Sequence, residues 1–214
     1  VYIPEQNVNS GTLQFMVLPG RVEDIRYSNS SAHGPWRTAF SVRPGDILNI
    51  RDVEQGLEQM KRVSSQSVTM QLLPGSSVGT SIIELSIKQE KPVHGSISID
   101  NSGLESTGVY QGSFTASLDQ AFRANDTLTM SLSGDVSGAG SIKGTRAASL
   151  NYVIPHGKDT FSVSFSKSRY HQTIQSNPYD FTYSGKSSTI KAKWNHVWSR
   201  TQREKRAFDI SIST

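Results

Sequence analysis

From residue 92 onward, apolar and polar positions alternate one by one. In DTFSVSFSKS (residues 159–168), Phe161, Val163 and Phe165 alternate with Thr160, Ser162, Ser164 and Ser166. Period-2 alternation predicts a β-strand with two unlike faces. The same pattern recurs at Ile97 and Ile99; at Phe114, Ala116 and Leu118; at Leu128, Met130 and Leu132; and at Leu150, Tyr152 and Ile154. It closes with Ile190, Ala192 and Trp194, then Phe208, Ile210 and Ile212. About seven consecutive strands of roughly ten residues are expected, with no helix among them.

Residues 12–90 follow a different grammar. TLQFMVLPGRVEDIRYS alternates around a Pro-Gly break and predicts a bent or paired strand. HGPWRTAFSVRPGD predicts a short helical segment or loop. NIRDVEQGLEQMKR places Ile50, Val53, Leu57 and Met60 on one helical stripe, with Asn49 or Asp46 available as cap and Lys61-Arg62 in the last turn. SVTMQLLPG and TSIIELSIKQ then predict two strands. The order strand, helix, helix, strand, strand is that of a small α+β module, one amphipathic helix over a sheet.

Connections in the strand-rich half also sort by length. NSGLES, SGDVSGAGSIKG and HQTIQSNPYDFTYSG are Gly/Ser/Asn-rich and mostly long, and between them lie the generally shorter DQAFRAND, PHGKD and SRTQREKR. Outer-membrane barrels carry long outside loops and short periplasmic turns, with strands of about 9–11 residues. Tyr110, Tyr152, Trp198 and Phe208 sit toward strand ends, where an aromatic girdle belongs. A transmembrane barrel would turn Phe161, Val163 and Phe165 toward lipid and Ser162 and Ser164 toward a hydrated lumen. Ser113, Thr115, Ser117, Lys191 and Lys193 share that lumen parity. A soluble sandwich or adhesin-like meander would instead bury the same apolar faces together. Seven strands fall short of a closed bacterial barrel, so a partial barrel wall is expected.

Composition narrows the classes. The mean hydropathy of −0.42 and the lack of an apolar run of about 20 residues exclude helical spans only. With no cysteine, neither disulfides nor thiolate metal sites can form. Residues 1–91 carry nine Lys/Arg against nine Asp/Glu, and residues 92–214 carry thirteen against nine. SRTQREKR is the only dense basic run and reads as a solvated turn, so no nucleic-acid partner is expected. No Gly-x-Ser-x-Gly elbow, P-loop or His-Glu-x-x-His occurs. GSIKG (140–144) lacks the strand-to-helix context of a glycine motif. His33, His94, His156, His171 and His196 are not at ligand spacing. No catalytic residue, metal site or cofactor is expected. VYIPEQNVNSG has no signal-peptide pattern and AFDISIST stops inside a strand pattern, so a piece of a longer protein is expected.

The ordered series YIPEQNVNSGTLQFMVLPGRVEDI, GDILNIRDVEQGLEQMKRV, SIDNSGLESTGVYQGSFTASLDQAFRANDTLTMSLSGD and SLNYVIPHGKDTFSVSFSKSRYHQTI resembles the two-partner secretion transporters. These are the TpsB proteins of Gram-negative outer membranes, which activate hemolysins or export filamentous adhesins and contact-dependent inhibition toxins. The resemblance runs over nearly the whole chain, without any catalytic signature. It implies an α+β POTRA domain (β-α-α-β-β) followed by the first antiparallel strands of a sixteen-stranded transmembrane β-barrel. Residues 1–10 would be the tail of a preceding POTRA domain, 11–90 a POTRA domain and 92–214 the N-terminal part of the barrel. The turn DQAFRAND departs from the Asn-Pro-containing turn common in the family, leaving its shape open.

The resemblance further implies protein translocation with no chemistry. The partner would be a secreted TpsA-type exoprotein, the surroundings outer-membrane lipid with the POTRA domain in the periplasm, and the working form a monomer. A POTRA domain would bind unfolded substrate along the edge of its second strand, here Ser67, Val68, Thr69, Met70, Gln71 and Leu72, by β-augmentation. Val68, Met70 and Leu72 equally fit packing under the helix. The other readings are a barrel assembly factor of the same superfamily and a soluble β-rich adhesin or binding module.

Overall fold

The computed structural model describes residues 3–6, 11–29, 35–137, 143–174, 176–179 and 181–214. His33, most of the expected tail 1–10 and residues 140–142 of GSIKG lie outside them.

Two sheets follow one another along the chain. The first has three strands: β1 (Arg21–Tyr27), β2 (Gln66–Pro74) and β3 (Thr80–Gln89), in the order β1-β3-β2. β1 runs parallel to β3 and β2 antiparallel to it. Between β1 and β2 lie α1 (Trp36–Ala39) and α2 (Ile50–Lys61). The predicted β-α-α-β-β order is thus present. Asn49, not Asp46, caps α2, its side chain accepting from Arg51 N at 3.0 Å.

The apolar stripe of α2 buries Val53 and Met60 completely, with Leu57 packed alongside, whereas Ile50 stays exposed. They meet Val22 and Ile25 of β1, Val68 of β2, and Ile83, Leu85 and Ile87 of β3. Ala39, Phe40 and Val42 close the core from the α1 side. Gly56 lets Phe40 approach: a Cβ there would stand 2.4 Å from the ring.

Residues 12–20 do not join this sheet. The strand expected across the Pro-Gly break begins only at Arg21. Leu13, Phe15, Met16, Val17 and Leu18 stand exposed, while β1 takes its hydrogen bonds from β3.

The second sheet contains β4 (Val93–Asp100), β5 (Gln111–Asp119), β6 (Thr127–Asp135), β7 (Lys143–His156), β8 (Asp159–Ile174), β9 (Phe181–Arg200) and β10 (Lys205–Ser213). They pair antiparallel in strict sequence order, leaving β4 and β10 as edges. The expected seven-stranded meander is present. Its strands are not uniformly ten residues long: β7, β8 and β9 run to 14, 16 and 20. Most of the expected loop HQTIQSNPYDFTYSG is strand, since Thr173↔Thr182 and Ile174↔Phe181 continue the ladder. Its Thr, Ile, Phe and Tyr residues favour strand whether or not a membrane surrounds them.

The core cluster lies wholly within the first sheet and its helices. Across the second sheet the apolar face stays open. Phe161, Val163 and Phe165 are 45, 52 and 43 % exposed, and Ile190, Ile210 and Ile212 are 51, 57 and 75 % exposed. Among the described residues no second sheet covers them, so the buried inner faces that a sandwich needs are not formed here. Among the described residues no helix is long and apolar enough to cross a membrane, which leaves crossing by strands untouched.

Candidate functional site

Two features meet where the sheets join: a free strand edge and a polar clamp. β2 is the edge of the three-stranded sheet, and among the described residues its outer backbone groups have no partner strand. Along it the side chains divide by parity. Ser67, Thr69 and Gln71 are exposed. Val68 is 1 % exposed in the core and Met70 packs against that core, while Leu72 is 41 % exposed. The space between β2 and α2 is therefore filled by Val68 and Met70 rather than open as a groove. What β2 offers is its backbone edge and its hydroxyl- and amide-bearing face.

The first residue of β2, Gln66, is 7 % exposed and joins the two sheets. Its Nε2 donates to Met60 O and to Asn125 Oδ1 (3.0 Å), and its Oε1 accepts from Gln120 Nε2 at 2.7 Å. Asn125 in turn donates to Pro35 O (2.9 Å) and Thr38 Oγ1 (3.1 Å). Gln120 and Asn125 belong to the β5–β6 turn, DQAFRAND. There Gln120, Arg123 and Asn125 all take positive φ, near +56 to +59°. That region disfavours side chains. The fully buried Asp126 holds the turn in place by accepting from Phe122 N and Ala124 N.

The β7–β8 and β9–β10 turns dock on α2 itself. Gln59, 2 % exposed, donates to Gly157 O (3.1 Å), Asp159 O (3.3 Å) and Thr160 Oγ1 (3.2 Å). Arg62 adds a bond to Thr160 at 3.1 Å. Lys158 pairs with Asp52 at 2.6 Å. Arg200 donates to Gln55 at 2.9 Å and pairs with Glu58, as does Lys205. Asp119 accepts from Ser64 Oγ and Ser65 N, both at 2.8 Å. Partial burial works against the ionisation of Glu58, but hydrogen bonds from Lys205 and Arg200, with their charges, outweigh it and lower its pKa. Acids on α2 thus face bases on the turns, and buried amides fill the space between.

The residues expected to line a lumen share one face. Ser113, Thr115 and Ser117 are half-buried and form a hydroxyl ladder: Ser98–Ser113 at 2.7 Å, Thr115–Ser131 at 3.3 Å and Ser117–Thr129 at 3.2 Å. Ser162 stands opposite Lys193, and Ser164 opposite Lys191. Lys193 pairs with Asp209 at 3.2 Å. On the opposite face, Tyr152 packs edge-on to Phe122 (5.7 Å) and Phe208 to Trp194 (5.4 Å).

Sequence reasoning missed the clamp. Its sole trace is a second stripe on α2, Asp52, Gln55, Gln59 and Arg62 at helical spacing, which reads as a solvated face until a partner is seen.

Comparison with known proteins agrees with this architecture. Residues 79–214 match the family model of the haemolysin secretion/activation proteins ShlB/FhaC/HecB, and residues 21–74 match the POTRA domain model. The outer membrane transporter CdiB-2 of Burkholderia pseudomallei is 37% identical over 204 residues, covering 95% of this chain and 35% of that protein. CdiB of Dickeya dadantii is 35% identical, covering 96% and 37%. The solved structure of CdiB from Escherichia coli superposes with a TM-score of 0.90 at 29% identity, over 99% of this chain and 40% of that one. The chain spans about a third of the length of the curated relatives it matches. A POTRA domain leads into the antiparallel strands of a partial outer-membrane barrel, and the chain belongs to the ShlB/FhaC/HecB family of haemolysin secretion/activation proteins.

Proposed function

We propose that this chain is the POTRA-to-barrel portion of an outer-membrane transporter that exports an unfolded secreted partner, the two-partner form of type V secretion. The relatives named as outer membrane transporters support the class and the location, with the POTRA domain in the periplasm. The carrying observation is a juxtaposition. The unpartnered edge of β2 begins at Gln66, the residue hydrogen-bonded into the β5–β6 turn of the strand-rich sheet. A chain augmenting β2 would therefore lie beside the periplasmic end of the barrel wall.

On this reading residues 11–90 act as the POTRA domain, 92–214 as the first part of the barrel, and 1–10 as the tail of a preceding module. An extended segment of a TpsA-type exoprotein adds to β2 by main-chain hydrogen bonds, with Ser67, Thr69 and Gln71 touching it and Val68 and Met70 holding the strand from beneath. Leu72, exposed near the far end, gives it one apolar contact. The Ser/Thr face with Ser113, Thr115, Ser117, Ser162, Ser164, Lys191 and Lys193 lines the conduit, where small hydroxyls offer exchangeable hydrogen bonds. The apolar face meets lipid. The transporter works as a monomer, without a cofactor or catalytic residue.

The test is site-specific photocrosslinking in the full-length transporter during export. A crosslinker at Thr69 or Gln71 is expected to capture the secreted partner, and one at Glu23, on the opposite edge strand β1, is not. Equal capture at all three positions would contradict augmentation of β2.

A further inference from the structure

The apolar face of the strand-rich sheet ends abruptly at one side. Its rows can be read across the register. Met130, Leu150, Phe165 and Ile190 stand opposite one another, as do Leu128, Tyr152, Val163 and Ala192. Moving away from the POTRA domain, the next row is Leu132, Ala148, Lys167 and Ser188. The row after that is Gly134, Arg146, Arg169 and Lys186. Three cations therefore stand directly opposite one another on three neighbouring strands, with a fourth just below. All four carry the parity of the lipid-facing residues, and all four are exposed.

Like charges directly opposite in a sheet repel. Where Arg200 and Lys205 stand directly opposite one another, Glu58 pairs with both. Among the described residues no carboxylate pairs with Arg146, Lys167, Arg169 or Lys186. An anion from outside the chain is the missing partner.

The position says which anion. From Phe161 to Arg169 is eight residues, about 27 Å along a strand. At a barrel tilt near 40° that is roughly 21 Å of height, close to the ~25 Å apolar band of an outer-membrane barrel. The cations thus stand at the head-group level of the leaflet opposite the POTRA domain. A cleft of about 400 Å³ joins Leu132 and Ala148 to Arg146, Lys167 and Arg169. Apolar wall below and guanidinium groups above suit an amphiphile with acyl chains and phosphates, since Arg binds phosphate oxygens in pairs. Lys167, one row inside, reaches the same level by extending its stem along the wall.

We propose that Arg146, Lys167, Arg169 and Lys186 form a binding site for a phosphorylated glycolipid of the outer leaflet, recognised through its phosphates. The proposal rests on the membrane-barrel reading given above.

The test uses the purified full-length transporter in detergent and native mass spectrometry. The probes are diphosphorylated lipid A, the same lipid dephosphorylated, and inorganic phosphate. The parent is expected to retain the diphosphorylated lipid at least fivefold better than the dephosphorylated one, and inorganic phosphate at equal concentration should not displace it. Changing Arg146, Lys167, Arg169 and Lys186 together to Gln is expected to reduce retention at least fivefold. Lys191→Gln with Lys193→Gln, on the opposite face of β9, should leave it unchanged. Equal retention of both lipids by the parent overturns the proposal even if the fourfold variant fails to fold. Displacement by inorganic phosphate would show an anion site that is not a lipid site, which also overturns it. Heat-modifiable migration is scored in parallel. Its loss in the parent would defeat the barrel reading itself, whereas its retention with unchanged lipid binding in the fourfold variant defeats this proposal alone.

Discussion

Single residues in this chain do two jobs that their types alone do not announce. Gly56 sits inside α2, where glycine costs about 1 kcal/mol relative to alanine. It is there because Phe40 occupies the space of its Cβ. Gly56→Ala is expected to destabilise the POTRA unit by about 1–3 kcal/mol through overpacking, despite its better helix propensity. Adding Phe40→Leu should recover part of the loss. Urea titration of the full-length chain, with proteolysis reporting POTRA unfolding, measures both.

Gln59 is the second case. Its amide serves two carbonyls and a hydroxyl in a nearly dry joint. Gln59→Leu keeps the size but leaves those acceptors unpaired, at a cost of about 1–3 kcal/mol to docking. Spin labels at Ser28 and Ser102 are expected to give one narrow distance in the parent and a broad distribution in the variant. The identity of neither residue could be weighed from the sequence. Gly56 looks like a weak point in a helix, and Gln59 like part of a solvated face.

At the scale of elements, period was informative and partnership was not. The stripe Val53, Leu57, Met60 located α2 because its partner is its own sheet, and alternation located all seven strands of the second sheet. Strand ends were misjudged where β-forming residues carry the ladder on, as at Thr173, Ile174 and Phe181. The β5–β6 turn was illegible for another reason. Its positive-φ residues are Gln120, Arg123 and Asn125, not glycines, and they are held by Asp126 and by contacts from the POTRA side.

The acidic face of α2 also carries a pH dependence. Glu58 has its pKa lowered from 4.5 in the folded chain, so its contribution to docking is fully present above about 4.5. It is lost as pH falls through the folded value. The narrow Ser28–Ser102 distance distribution should persist at pH 7 and broaden well below pH 4.5. Glu58→Gln should weaken docking at pH 7 and reduce the further change on acidification. A distribution independent of pH in the parent would contradict the assignment.

For the whole molecule, the open question in the sequence was which way the alternating strands face. The same Phe and Val residues would serve a sandwich core or a lipid-facing wall. The strands β4 through β10 pair in sequence order and, among the described residues, no layer covers their apolar face. The family match supplies the context in which an uncovered apolar face is stable. The polar clamp then fixes where the free edge of β2 lies relative to the wall, an arrangement that neither sheet specifies alone.

That orientation is the account's central claim, and β8 tests it most directly. This segment has no cysteine of its own, so single cysteines can be placed at each position from 161 to 166 of an otherwise cysteine-free full-length transporter in outer-membrane vesicles. Cysteines at Ser162, Ser164 and Ser166 are expected to react with a small charged maleimide. Fluorophores attached after solubilisation at Phe161, Val163 and Phe165, then returned to bilayers, should be quenched by nitroxide-labelled lipid. Maleimide reactivity at 161, 163 and 165, with no lipid quenching there, would contradict the account.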